Sequence, residues 1–283
     1  MQNAECKMQN FLNSQLLTRC CDFLTYFCYL CDVMRYFVEL RYDGAAYCGW
    51  QRQPDAPTVQ QTIEGALSKL LRHPIEVVGA GRTDTGVNAS YYVAHFDCNE
   101  PLDVEHLRYK LNLVLPHDIS IESLTQVQES AHARFDAVER EYTYYITTAK
   151  NPFRRHSAWT YYVPLDIEKM NEAAQSLLEY SDFTSFAKLN SNNKTNICHI
   201  MVAKWVREGD ILRFTIRADR FLRNMVRAIV GTLVDVGRGR YSVEEFRSIV
   251  ESKDLSKASA GAPAQGLFLS DVVYPVELFT HKK

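Results

Sequence analysis

The sequence predicts an α+β fold of two similar mixed sheet-and-helix halves, each an antiparallel sheet flanked by helices. Three observations predict it. Strand-like alternation and helix-like periodicity recur in two sets along the chain. Neighbouring strands form hairpins instead of the regular strand–helix–strand order of a parallel sheet. The 283 residues, 46% hydrophobic and 23% charged, suit a globular chain long enough for two ordinary domains. The expected division is an N-terminal extension over 1–33, an N-terminal domain over 34–135 and a C-terminal domain over 136–283.

From Met34 the chain alternates, with Tyr36, Val38, Leu40 and Tyr42 on one face and Phe37, Glu39 and Arg41 on the other. This is a strand, closed by Asp43-Gly44. Thr58 and Gln61 have the spacing of a capping box. Val59, Ile63, Ala66, Leu67, Leu70 and Leu71 then repeat at helical intervals. Residues 75–80 read as a strand, 91–97 as another, 103–114 as a helix stopped before Pro116, and 119–127 as a strand. The second set starts with a strand at 140–148 and a helix at 167–178. Strands at 200–207 and 211–218 pair across Glu208-Gly209-Asp210. A long helix is expected from Phe221 to Val236, ended by Gly237, then one opened by the Ser242/Glu245 capping box, then a last strand over 266–273.

The net charge of −2 announces no polyanionic partner, but the charge is uneven. Seven arginines between Arg213 and Arg240 face only Asp219 and Asp235, a local charge of +5. Phosphate attraction is local and screened over about 10 Å, so such a face suits an RNA binder as well as an ordinary solvated surface. Cys6, Cys20, Cys21, Cys28 and Cys31 crowd the first 33 residues, while Cys48, Cys98 and Cys198 are scattered as expected in a reducing cytoplasm. The cysteine-rich segment lacks the polar turns of a zinc knuckle. Its apolar run is too short to span a membrane, and it has no signal-peptide pattern. It is expected to lie outside the fold. No metal site, cofactor or membrane contact is expected.

The chemistry centres on GAGRTDTGVNA, residues 79–89. A Walker loop needs Gly-Lys, which the sequence lacks, and a dinucleotide loop needs G-x-G-x-x-G, whereas these glycines run G-x-G-x4-G. Asp84-Thr85-Gly86 spells the D-T-G of aspartic proteases. That chemistry needs two carboxylates sharing a proton, and only a symmetric dimer would supply the second. Arg82, two residues away, opposes such sharing.

The loop resembles the G-R-T-D-x-G-V-H-A signature of the TruA family of tRNA pseudouridine synthases. Further blocks resemble that family in order: YDGAAYCGWQRQ (42–53), TVQQTIEGAL (58–67), AHARFDAVEREYTYYI (131–146), DFTSFAK (182–188), ADRFLRNMVRAIVG (218–231) and APAQGLFL (262–269). The resemblance spans Met34 to Val276. It implies the pseudouridine synthase fold, with an active-site cleft between the halves, and a cofactor-independent isomerisation of uridine to pseudouridine in tRNA, at the anticodon stem-loop. It implies a cytoplasmic homodimer in which one tRNA touches both subunits.

By the same resemblance Asp84 is the nucleophile, Arg227 its basic partner and Tyr142 the residue that stacks on the target base. Arg82 would fill the space left by the flipped uridine or contact its phosphate, and Leu267 would line the pocket. Arg220 and Arg223 share a helical face with Arg227 at i, i+3 and i+7, and with Arg140 join the substrate-binding set. Asn88 stands where the family has His, which puts a loop or RNA contact in question. Two other classes fit some of these residues: a catalytically inactive module that binds structured RNA, and the dimeric D-T-G protease.

Overall fold

A computed structural model describes residues 33–188 and 194–279; the cysteine-rich segment falls outside the described residues, apart from Val33. The strands are β1 (Met34–Tyr42), β2 (Val78–Gly79), β3 (Asn88–Cys98), β4 (Ile119–Val127), β5 (Glu139–Thr147), β6 (Trp159–Thr160), β7 (Ile200–Glu208), β8 (Ile211–Ala218) and β9 (Leu267–Val273). The helices are α1 (Val59–Leu71), α2 (Val104–Val114), α3 (Ile167–Ser176), α4 (Met225–Gly237) and α5 (Val243–Glu251).

The two halves share one sheet, in the order β4-β1-β3-β9-β5-β8-β7, with β2 beside β3 and β6 beside β5. The join is made by the last strand. β9 runs parallel to β3 through Asn88↔Phe268 and Ala89↔Leu269, and antiparallel to β5 through Tyr142↔Leu269 and its neighbours. All the remaining long pairings are antiparallel. The chain therefore closes its sheet only when its C-terminal end arrives.

Each half has its own core. In the first, Tyr36, Val38, Leu40 and Tyr42 of β1 meet Ile63 and Leu67 of α1 and Leu107 and Leu111 of α2. In the second, Trp205, Phe214, Phe183, Phe186 and Phe246 surround α4, which is buried over almost its whole circumference. The opposite face of β1 is used as well: Phe37 packs with Val93, Val127 and Ala131. Helix starts follow local chemistry. Thr58 accepts from Gln61 N, Asp103 from His106 N and Asp166 from Lys169 N. Ser242 and Glu245 form the full reciprocal box.

Three expected boundaries move. Ladder pairing over 75–80 is confined to β2, because Ile75 N and Val77 N donate to Ser68 Oγ and Glu64 Oε1 instead of to a strand. The alternation there records burial of Ile75 and Val77, not pairing. β3 is longer than its apolar run and starts at Asn88, where β9 supplies a partner. The long helix starts at Met225, four residues late, because Asn224 adopts φ 64°, a left-handed backbone that no α-helix continues through.

Candidate active site

The loop after β2 is held from beneath by the irregular segment that follows β1. Thr83 is buried, and its Oγ1 takes a hydrogen bond from Trp50 N at 3.1 Å and shares another with Tyr42 OH at 3.0 Å. Gly86 turns at φ 75° and donates to Tyr47 O, while Val87 N donates back to Asp84 O at 3.1 Å. The approach of the two segments depends on Gly49, whose φ is 87° and whose missing side chain would collide with the Thr83 carbonyl. Asp84 is thus the tip of a turn whose backbone is tied on both sides.

Asp84 is 27% exposed and faces two cations. Arg223 Nε lies 3.6 Å from Oδ1, and Arg227 Nη1 lies 3.8 Å from Oδ2. Both are close enough for charge attraction and too far for a direct hydrogen bond, so neither arginine occupies a carboxylate lone pair. Arg227 is itself anchored. Its Nε donates to Ala262 O at 2.7 Å, and Ala262 N donates to Arg227 O at 2.9 Å. Two guanidinium groups are the opposite of the surroundings that a proton-sharing pair of aspartates needs, which counts against the protease.

The helical-face reading of the arginines is corrected here. Only Arg227 lies on α4; Arg220 and Arg223 belong to the loop before it, because the chain turns left-handed at Asn224. Arg223 nevertheless reaches Asp84. Arg220 is half-buried near Cys198, and its backbone N–H is held by Asp219.

Tyr142 lies on β5 where the two cores meet, and its ring stands edge-on to Phe221 at 5.1 Å and 89°. Burial pushes its hydroxyl up to about 12, with Arg140 opposing and Asp84 adding, so it is a neutral phenol near pH 7. Arg82 is exposed and donates to Gln51 Oε1 at 3.2 Å. With Trp50, Gly81 and Arg134 it lines a small cleft of about 120 Å3.

The remaining expected residues do other work. Arg140 commits its guanidinium to four backbone carbonyls: Ala137 and Asp219 on Nη1, Ala80 and Arg134 on Nη2. Leu267 is 5% exposed and packs in the C-terminal core. Asn88 is no surface contact. It is 1% exposed, accepts from Gly44 N at 2.7 Å, and donates to His156 O at 3.0 Å and Gln265 O at 2.9 Å. It is a joint between three distant segments.

Sequence reasoning did not single out Thr83, Phe221 or Ala262. All three lie in or next to the family-like blocks, but their partners are remote, so nothing local marks them. Among the described residues no group of three or more His, Cys, Asp or Glu side chains could hold a metal ion. No helix among them is long and apolar enough to cross a membrane.

Comparison with known proteins bears on this geometry. A family model described as tRNA pseudouridine synthase matches residues 40–136 and 173–275. The tRNA pseudouridine synthase A of Bacteroides fragilis is 55% identical over 250 residues, covering 88% of this chain and 99% of that protein. That of Bacteroides thetaiotaomicron is 54% identical over 253 residues, covering 88% and 94%. A more distant relative of the same name, from Gloeobacter violaceus, is 39% identical over 248 residues, covering 87% and 82%.

Proposed function

The chain belongs to the tRNA pseudouridine synthase family, and from that membership we propose that it isomerises uridine to pseudouridine in tRNA with Asp84 as nucleophile. The observation that carries the assignment is the pair of arginines 3.6 and 3.8 Å from the two carboxylate oxygens.

In the reaction the N1–C1′ bond of the uridine breaks, the base turns, and C5 bonds to C1′. C5 gives up its proton and N1 gains one. A carboxylate serves this in three ways: attack on C6 of the uracil, attack on C1′ of the ribose, or removal of the C2′ proton on a glycal route. Each needs an anion with an open lone pair, and Asp84 offers two oxygens with charge nearby but no hydrogen bond from the arginines. The anchoring of Arg227 to Ala262 keeps its charge in place while the base moves.

The uridine has to leave its stack to reach this depth, at a cost of a few kcal/mol. The neutral Tyr142 ring, braced by Phe221, offers the extruded base a surface, and Arg82 stands beside the space it vacates. Arg223, with its side chain 60% exposed, is free to meet phosphate as well as Asp84, and Arg220 adds charge to the same loop. Arg140 acts on the substrate indirectly, by tying the catalytic loop at Ala80 to the C-terminal half at Asp219. Leu267 supports the floor from within the core.

The reading extends to the anticodon arm as target, to a homodimer that doubles the arginine face along one tRNA, and to the cytoplasm as the place where tRNA is met. It treats 34–135 and 136–283 as two units of one enzyme. The test uses purified protein, an unmodified tRNA transcript and pseudouridine-specific chemical labelling, since isomerisation leaves mass unchanged. Wild type should mark uridines of the anticodon arm. Asp84→Asn should mark none while still binding tRNA, and an active Asp84→Asn enzyme would refute the assignment.

A further inference from the structure

Beside this site a phenylalanine is held out into solvent by an unusually well-tied loop. Phe135 is 73% exposed, in the segment between β4 and β5. A scattered exposed apolar side chain needs no explanation. The loop under this one is different, because its backbone is fixed almost residue by residue. Arg35 Nη1 donates to Ala131 O at 2.9 Å, and His95 Nδ1 accepts from Ala133 N at 3.1 Å. Tyr274 OH donates to Ala133 O, and Asp136 Oδ2 accepts from His132 N at 2.7 Å. His132 Nδ1 accepts from both Arg134 N and Phe135 N, at 3.1 and 3.3 Å, which a neutral imidazole can do; burial and the nearby Arg35 charge favour that neutral form.

The ring is also coupled to the catalytic loop. One nitrogen of Arg140 bonds both Arg134 O, at 2.7 Å, and Ala80 O, at 3.3 Å, four residues before Asp84. The Arg134 side chain lines the same small cleft as Arg82, and its guanidinium carbon sits over the Phe135 ring, 5.6 Å from the centroid. His132 flanks the ring at 4.3 Å. A largely exposed aromatic ring with one guanidinium beside it has the complementarity of one nucleotide: π surface for the base, guanidinium for the phosphate. A preordered loop also avoids the entropy of fixing the ring when the ligand binds.

We propose that Phe135 is a stacking platform for one unpaired nucleobase of the substrate RNA near the target uridine, with Arg134 meeting the adjoining phosphate. The inference rests on the tRNA reading above and adds a second base subsite to it. Stacking tolerates any base, so the subsite demands that a base be present and not which one.

The test measures pseudouridine formation on anticodon-arm RNAs that carry one abasic site at each unpaired nucleotide in turn. Enzymes are wild type, Phe135→Ala and Phe135→Trp, with melting temperature and native mass recorded for each. On intact RNA, Phe135→Ala should lose about 5- to 150-fold in kcat/KM, mainly through KM, and Phe135→Trp should keep most of it. One abasic RNA should cost wild type a similar factor and cost Phe135→Ala nothing further. The proposal is overturned if Phe135→Ala stays within twofold of wild type, or if every abasic RNA costs both enzymes equally. It is also overturned if the loss follows a fallen melting temperature or a lost dimer, which would make Phe135 a packing or interface residue. A wild type that forms no pseudouridine would refute the activity instead, and the same comparison would then be read from RNA affinity.

Discussion

Replacing Asn88 by alanine should lower stability by about 4 kcal/mol, a figure that follows from what its amide holds. Gly44 N is buried and would lose its acceptor, leaving an orphaned donor at a cost of about 1–3 kcal/mol. The carbonyls of His156 and Gln265 would each lose a bond worth about 0.5–1.5 kcal/mol. For a domain of this size that total corresponds to a fall in melting temperature of about 8–16 °C, readable by calorimetry. Asn88→Asp makes the reasoning sharper: it keeps the shape but sets a carboxylate against two carbonyl oxygens, so it should be less stable than Asn88→Ala. Activity should fall with either change at temperatures well below melting. Gly44 leads into the turn whose Tyr47 carbonyl receives Gly86 N, and Gln265 follows closely on the Ala262 anchor of Arg227. A melting temperature for Asn88→Ala within 2 °C of wild type, or an Asn88→Asp protein as stable as wild type, would refute the account of the joint.

Other outcomes follow from the same geometry. Arg227→Ala should lose kcat with little loss of tRNA affinity, whereas equal losses in both would make Arg227 a binding residue only. Arg223→Ala should also weaken binding and reduce the slope of log affinity against log salt by about 1, as expected for a lost phosphate contact; an unchanged slope would restrict Arg223 to Asp84. Gly49→Ala puts a side chain into the Thr83 carbonyl at a positive φ, so activity and stability should fall together, and a wild-type melting curve would contradict it. His95 is buried, and burial together with Arg35 holds its imidazole down to about 4. Above pH 6.5 both folded and unfolded forms are neutral. Between 6.5 and 4 only the unfolded chain takes the proton, so stability should drop by up to about 3 kcal/mol as the pH falls through that window. Urea unfolding at pH 7 and pH 4.5 should show this drop shrinking in His95→Asn, whose amide oxygen keeps the Ala133 bond; parallel losses would place the pH dependence elsewhere.

Much of the architecture was legible because its causes are local. The alternation in β1, the Thr58 and Ser242 caps and the turn at Gly209 each depend on residues within about four positions of one another, so the sequence alone determined those elements. The ordered blocks around Asp84, Tyr142 and Arg227 likewise carried the family resemblance. Tertiary structure decided what depends on distant partners. Asn88 read as a departure in a loop motif that bears on a loop or RNA contact, and it is a buried joint, because its three partners lie at positions 44, 156 and 265. The i, i+3, i+7 spacing of Arg220, Arg223 and Arg227 suggested one helical face, yet the chain breaks its helix at Asn224. Arg223 and Arg227 still converge on Asp84, from a loop and a helix, respectively. Helical spacing is a statement about neighbours along a chain. The site is set by a sheet that closes only when β9 pairs with β3, and by hydrogen bonds across the join, which no short stretch of sequence encodes.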